Sequence, residues 1–145
     1  MTAPISTAAI ALLLLSTIAP LALAADLIVT VSDIRNSTGS IYIAVFDSDS
    51  TFMKPQQWKA SSRANAHKGQ VQFVFHDLPA GTYAVSTFHD ENGNGKLDQN
   101  DLGVPIEGYG FSNDAQGTSG PPKFPQAAFN FDGKADKSIT CSLNY

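Results

Sequence analysis

The constraint that most limits the fold of this chain is the two-residue rhythm of its apolar segments. Gln70-Val71-Gln72-Phe73-Val74-Phe75 places β-branched and aromatic side chains in near alternation. A period of two fits a pleated strand and not a helix, whose apolar face recurs every three to four residues. Leu27 to Ile34 reads as a strand in the same way. Asn36-Ser37-Thr38-Gly39 then supplies turn chemistry before the apolar run Ile41-Tyr42-Ile43-Ala44-Val45-Phe46. That run is apolar on both faces, which predicts a central place in its sheet. Gly81 to Phe88 carries β-branched and aromatic residues with no helical stripe and predicts another strand, entered through the tight connection Asp77 to Gly81. Met53 to Ala66, with Pro55 and Trp58, reads as a short helical turn, a weak edge strand or both. Near the end, Ala127 to Phe131 and Ile139 to Leu143 predict a hairpin turning at Asp132-Gly133. In the last strand Ile139, Cys141, Leu143 and Tyr145 share one face, so Cys141 is expected in the core as a small hydrophobe. Short strands separated by turns, with no internal repeat, predict an all-β fold: a single β-sandwich of about seven strands.

The strand ending at Phe88 runs into twelve residues with the spacing of a calcium-binding loop, Asp90 to Asp101. An EF-hand-type loop takes oxygen ligands at positions one, three, five, nine and twelve, a backbone carbonyl at seven, and glycine at the sharp turn at six. Those places hold Asp90, Asn92, Asn94, Asp98 and Asp101, with Lys96 offering its carbonyl and Gly95 at the turn. Leu97 at the eighth position is suited to pin the loop to the core. The twelfth ligand is usually a bidentate glutamate; Asp101 is one methylene shorter, and Glu107 is close enough in sequence to supply that carboxylate instead. Oxygen-only donors favour a hard ion, and an irregular loop suits Ca²⁺ better than Mg²⁺. The competing reading is a metal-free polar turn, since Asn, Asp and Gly all favour turns. The flanks are not those of an EF-hand: a strand precedes the loop, and Gly103 and Pro105 stop any regular helix after it. The expected role is a structural clamp on a β-domain, not a helix-opening sensor.

Residues 1–25 read as a signal peptide. Ile10 to Leu15 is an uninterrupted apolar run, Pro20 breaks it, and Ala22-Leu23-Ala24 offers a small-x-small cleavage site, with cutting after Ala24 or Ala25. The expected location is therefore the periplasm or the extracellular space. Removing 25 of the 145 residues leaves 120, enough for one domain, residues 26–145. The first 25 residues carry no charge, so the net charge of −4 belongs to the remainder. A mildly acidic chain without basic clusters makes nucleic acid an unsuitable partner, and no membrane association is expected after cleavage. Cys141 is the only cysteine, so no intrachain disulfide supports this small domain, and a bound metal is one way to supply the missing stability.

Between Leu102 and Gln126 lies a long Gly/Pro-rich segment containing Tyr109, Phe111 and Phe124. These rings are too apolar for a freely solvated linker. They predict a small satellite core under a compact loop or, alternatively, a binding surface beside the calcium loop. His67, His76 and His89 lack metal-ligand spacing, and no nucleophile elbow or His-Glu-x-x-His helix is present. Two functions follow. The first is a non-catalytic, calcium-stabilised module binding a protein or glycan partner through residues 102–126. The second is a metal-dependent hydrolase centred on His89, Asp90 and Glu107. Oligomeric state and the identity of the partner are not encoded in these patterns.

The run from Phe88 to Asp98, followed by Gly103-Val104-Pro105, by Glu107 to Asn113 and by Gly120-Pro121-Pro122, together with the upstream Leu78 to Val85, resembles the bacterial DUF2141 family. The resemblance covers nearly all of the chain beyond residue 25. It implies an exported bacterial protein and no particular activity. It also puts Asp101 in doubt as a shared ligand and favours Glu107. The segment Leu78-Pro79-Ala80-Gly81-Thr82-Tyr83 is similar to strand beginnings in transthyretin-like and Cna-B-like modules, which implies a transthyretin-like or immunoglobulin-like sandwich. The hydrolase known on transthyretin-like folds ends in Tyr-Arg-Gly-Ser, which Ser142-Leu143-Asn144-Tyr145 does not match.

Overall fold

The computed structural model describes residues 24–145. The proposed signal peptide falls almost wholly outside them. Eight strands form two sheets: β1 (Leu27–Ile34), β2 (Ser40–Phe46), β3 (Ala60–Asn65), β4 (Gly69–Phe75), β5 (Gly81–Asp90), β6 (Tyr109–Phe111), β7 (Phe129–Phe131) and β8 (Lys137–Ser142). One sheet runs β4-β1-β8. The other runs β3-β2-β5-β6, with β7 also paired to β5. The two pack as a β-sandwich, with β2 between β3 and β5 as its two-sided apolar pattern requires. Ala25 is buried in the core, and the Asp26 N–H donates to Asp136 Oδ1. Among the described residues no helix is long and apolar enough to cross a membrane.

The core is the period-two pattern made solid. Leu27, Val29 and Val31 of β1 meet Ile41, Ile43 and Val45 of β2, with Phe73, Phe75, Tyr83, Val85 and Phe131 closing the layer. Each such side chain contributes roughly 1.5–3 kcal/mol by leaving water. Met53 to Ala66 resolves into turns followed by the edge strand β3.

The predicted hairpin of the last two strands does not form. β7 lies antiparallel to β5, with Tyr83 opposite Phe129, whereas β8 joins the other sheet parallel to β1. The turn chemistry at Asp132-Gly133 is present: Asp132 Oδ1 accepts the N–H groups of Lys134 and Ala135. The turn nevertheless carries the chain across the sandwich, because Phe131 and Cys141 both bury themselves from opposite sheets. A second correction concerns β6, a three-residue strand inside the Gly/Pro-rich segment, which pairs with Ser86 to Phe88 of β5.

The aromatic residues of that segment form the satellite core. Phe111, Ala84 and Ala127 are buried there, with Phe52, Tyr109 and Phe124 packed against them on the outer face of the larger sheet. Phe52 meets Phe124 and Phe46 edge-on, at 5.8 and 5.4 Å between centroids. Buried Ser112 ties this layer down: its Oγ accepts the Val85 N–H at 2.8 Å and donates to the Ala127 carbonyl.

Cys141 is fully buried, and burial, helped by the charge of Asp114, pushes its thiol from the ordinary 9.0 up to about 12. The folded chain then holds a proton that the unfolded chain releases. This contribution to stability is complete below pH 9.0 and is lost as pH rises toward about 12. Urea melts are expected to show falling stability above roughly pH 9 in the wild type and a weaker fall in Cys141→Ala. A thiol reagent should label Cys141 only on unfolding.

Candidate metal centre

β5 delivers its last residue, Asp90, into a loop that folds back on the carboxylate. Asp90 is 1% exposed. Its Oδ1 accepts the N–H groups of Gly93 (2.8 Å) and Asn94 (3.1 Å), and its Oδ2 accepts that of Gly95 (2.8 Å). Gly95 sits at φ +76°, a left-handed conformation that glycine adopts without steric cost. Asn92 and Asn94 each cap the backbone two residues on, at Asn94 and Lys96. Their amide nitrogens donate to the Asp98 carboxylate at 2.6 Å from Asn92 and at 2.9 and 3.0 Å from Asn94.

Four of the predicted donors are thus gathered: Asp90, Asn92, Asn94 and Asp98. Lys96 lies on the exposed crest, its N–H held by Asn94. Leu97 is half-buried beside the neighbouring cleft. Asp101 is not brought into the group. After Asp98 the chain makes a small hairpin, with Gln99 bridged to Pro105 and Asn100 Oδ1 accepting the N–H groups of Leu102 and Val104. Asp101 stands exposed at its tip. In an EF-hand a helix carries the twelfth residue back to the metal; here the hairpin carries it outward.

Glu107 occupies a different position from the one its sequence suggests. It is 5% exposed, and its carboxylate spans the two ends of the loop: Oε1 accepts the Glu91 N–H at 2.8 Å and Oε2 the Asp98 N–H at 3.0 Å. Glu107 is a staple that holds the donors in register, with one lone pair left on each oxygen. Glu107→Gln turns an amide NH₂ toward a backbone N–H. It is expected to lower stability by about 1–3 kcal/mol in chelator, measured by urea unfolding.

The donor set is two carboxylates and two side-chain amides, all oxygen-capable, which suits Ca²⁺ once the Asn amides turn their oxygens inward. Among the described residues no three His, Cys, Asp or Glu side chains stand together as a metal site, and no Lys or Arg pairs with Asp90, Asp98 or Glu107.

His89 faces away from this loop. It is 0% exposed, with Nε2 2.7 Å from the Thr38 carbonyl and Nδ1 2.8 Å from the Tyr145 hydroxyl. A carbonyl only accepts, so Nε2 carries the proton and Nδ1 accepts from Tyr145. Arg35 stacks over the Tyr145 ring at 4.3 Å and meets Glu91 Oε1 at 2.6 Å as an ion pair. Burial pushes the Glu91 carboxyl up, but contacts from Asn36 and Arg35 outweigh it and hold the group below its ordinary value. This Arg35–Glu91–Tyr145–His89 group escapes sequence reading, because Tyr145 lies 56 residues from His89 and no spacing rule joins them.

The fold and this loop define a class: a β-sandwich whose central strand ends in an oxygen-rich loop stapled by a buried glutamate. The chain belongs to the family described as uncharacterized protein conserved in bacteria (DUF2141), whose model matches residues 29–140. No curated protein matches the chain significantly. Among solved structures it is similar to a fimbrial assembly protein from Parabacteroides distasonis, with a TM-score of 0.45 and 10% identity over 83% of this chain and 53% of that one. The chain therefore spans about half the length of that protein.

Proposed function

We propose that this protein is an exported, non-catalytic β-sandwich module that takes up Ca²⁺ in its Asp90–Asp98 loop and binds a protein or glycan at the cell envelope. The observation that carries the reading is one loop in which the Asn92 and Asn94 amides converge on the Asp98 carboxylate and the buried Asp90 carboxylate holds the backbone of Gly93 to Gly95, with no cationic side chain among the described residues paired to either carboxylate. Two carboxylates in one short loop without a cationic partner favour a bound cation. The partner would meet the adjacent cleft of about 460 Å³, walled by Leu97, Val104 and Pro122 and floored by Tyr109 and Phe111. A structural role for His89 also favours this reading over a hydrolase, since both ring nitrogens are engaged and the ring is sealed from solvent.

The deciding experiment is a thermal melt of the purified protein with Ca²⁺ and with chelator. With affinity of roughly 10⁻⁴ to 10⁻³ M, as in extracellular modules, Ca²⁺ at 100 times the dissociation constant adds about 2.7 kcal/mol, several degrees for a domain of this size. Mg²⁺ at the same concentration should add much less. Identical melts in Ca²⁺ and chelator would sink the proposal.

A further inference from the structure

The outer face of the larger sheet carries a second feature, independent of the loop's chemistry. Arg63 of β3, Tyr42 of β2, Phe88 of β5 and Tyr109 of β6 are successive register partners, so they form one row across the sheet. The Tyr42 and Phe88 rings stack at 4.9 Å, within 3° of parallel. The Arg63 guanidinium lies 5.7 Å from the Tyr42 ring, and its Nη1 donates to the Tyr42 hydroxyl at 3.3 Å. The next row is made of small residues: Ser61, Ala44 and Ser86 face one another along the same strands. Between the aromatic row and Trp58, which is 42% exposed, these small residues floor a trough of about 470 Å³, to which Gly95 of the loop also contributes.

We infer that this trough binds an acidic sugar, a pyranose carrying a carboxylate. Among the described residues Arg63 is the only charged side chain lining it, in a chain of net charge −4, so the trough selects an anion against the general field. Arg63 uses one nitrogen on Tyr42, and its remaining donors fit a carboxylate. The Tyr42, Phe88 and Trp58 rings offer apolar surface to sugar C–H groups, and the Ser61 and Ser86 hydroxyls offer partners to sugar hydroxyls. A peptide is the poorer fit. β2 and β5 are paired on both sides, so the floor at Ala44 and Ser86 has no free backbone groups, and a strand added to the open edge of β3 would lie beside the trough and not in it.

Trp58 is the single tryptophan of the chain, so its fluorescence reports directly on the trough. Titration with a galacturonic acid oligomer should give a saturable change in wild type, and the matched neutral galactose oligomer should give a far weaker one. Arg63→Ala should weaken acid-sugar binding about tenfold or more, the loss of one charge-assisted contact, and Arg63→Lys less. Ser61→Phe, on an exposed edge position, should block binding while leaving the melt unchanged. Glucuronate- and mannuronate-containing oligomers are run beside the first. No saturable change with any of them, or equal binding by Arg63→Ala, overturns the proposal. So does a response confined to acidic peptides. Equal binding in Ca²⁺ and chelator leaves the trough standing even where the calcium reading fails. Binding that is lost in Asp90→Ala yet kept in Arg63→Ala places the sugar on the loop metal and overturns it.

Discussion

Gly39→Ala is expected to cost more than about 3 kcal/mol and to lower the melting temperature by over ~10 °C. Gly39 sits at φ +72°, and a β-carbon there would stand 1.9 Å from the Asp90 carbonyl oxygen and 2.9 Å from Glu91 Cα. Both neighbours are backbone. They cannot withdraw without opening the β2–β5 ladder, in which the next residue, Ser40, is the partner of Asp90. The left-handed conformation alone costs roughly 1–2 kcal/mol; the close approach supplies the rest. Gly69→Ala is the control, because Gly69 is also at positive φ (+102°) but has nothing within 4 Å of an added β-carbon. It should lose only the conformational cost, about 1–2 kcal/mol. Equal losses in the two variants would show that the Gly39–Asp90 approach is not rigid. Since the displaced atoms belong to Asp90, Gly39→Ala should also weaken any response to Ca²⁺.

The turn at Asn36 to Gly39 was legible from composition, but its reason was not. Local chemistry says that a glycine turns the chain there; only the fold reveals that it must also admit the backbone of a strand fifty residues away. The same division holds elsewhere. β1, β2, β4 and β5 announce themselves because half-buried strands repeat every two residues. β6 does not, since three residues containing a glycine have no pattern, and it exists because β5 has a free edge beside it. The expected β7–β8 hairpin does not form, because a good turn at Asp132-Gly133 says nothing about which strand each arm will join. In the loop, spacing points to Asp90, Asn92, Asn94 and Asp98, which the fold does bring into one loop, whereas the rule that adds Asp101 presumes a helix that this fold lacks. The stapling role of Glu107 is not legible, because a sequence shows carboxylates and not the backbone N–H groups they find.

Asp90→Ala is the second large effect, and it acts in two separable ways. In chelator, the variant leaves the Gly93, Asn94 and Gly95 N–H groups without their acceptor beneath a buried site, a loss of about 2–4 kcal/mol at roughly one per hydrogen bond. In Ca²⁺, it should also lose the whole stabilisation by the ion, because a donor and a negative charge disappear together. Asp90→Asn divides the two. Its amide oxygen still accepts N–H groups, so the chelator melt should fall less than in the alanine variant, yet the neutral group should leave little calcium response. Asp98→Asn extends the argument. Asp98 is half-buried and accepts only from Asn92 and Asn94 side chains, so its neutralisation should cost little in chelator and most of the response in Ca²⁺. A wild-type calcium shift in both asparagine variants would place the ion elsewhere. A chelator loss without any calcium shift in the parent would make Asp90 the organiser of a polar loop and nothing more.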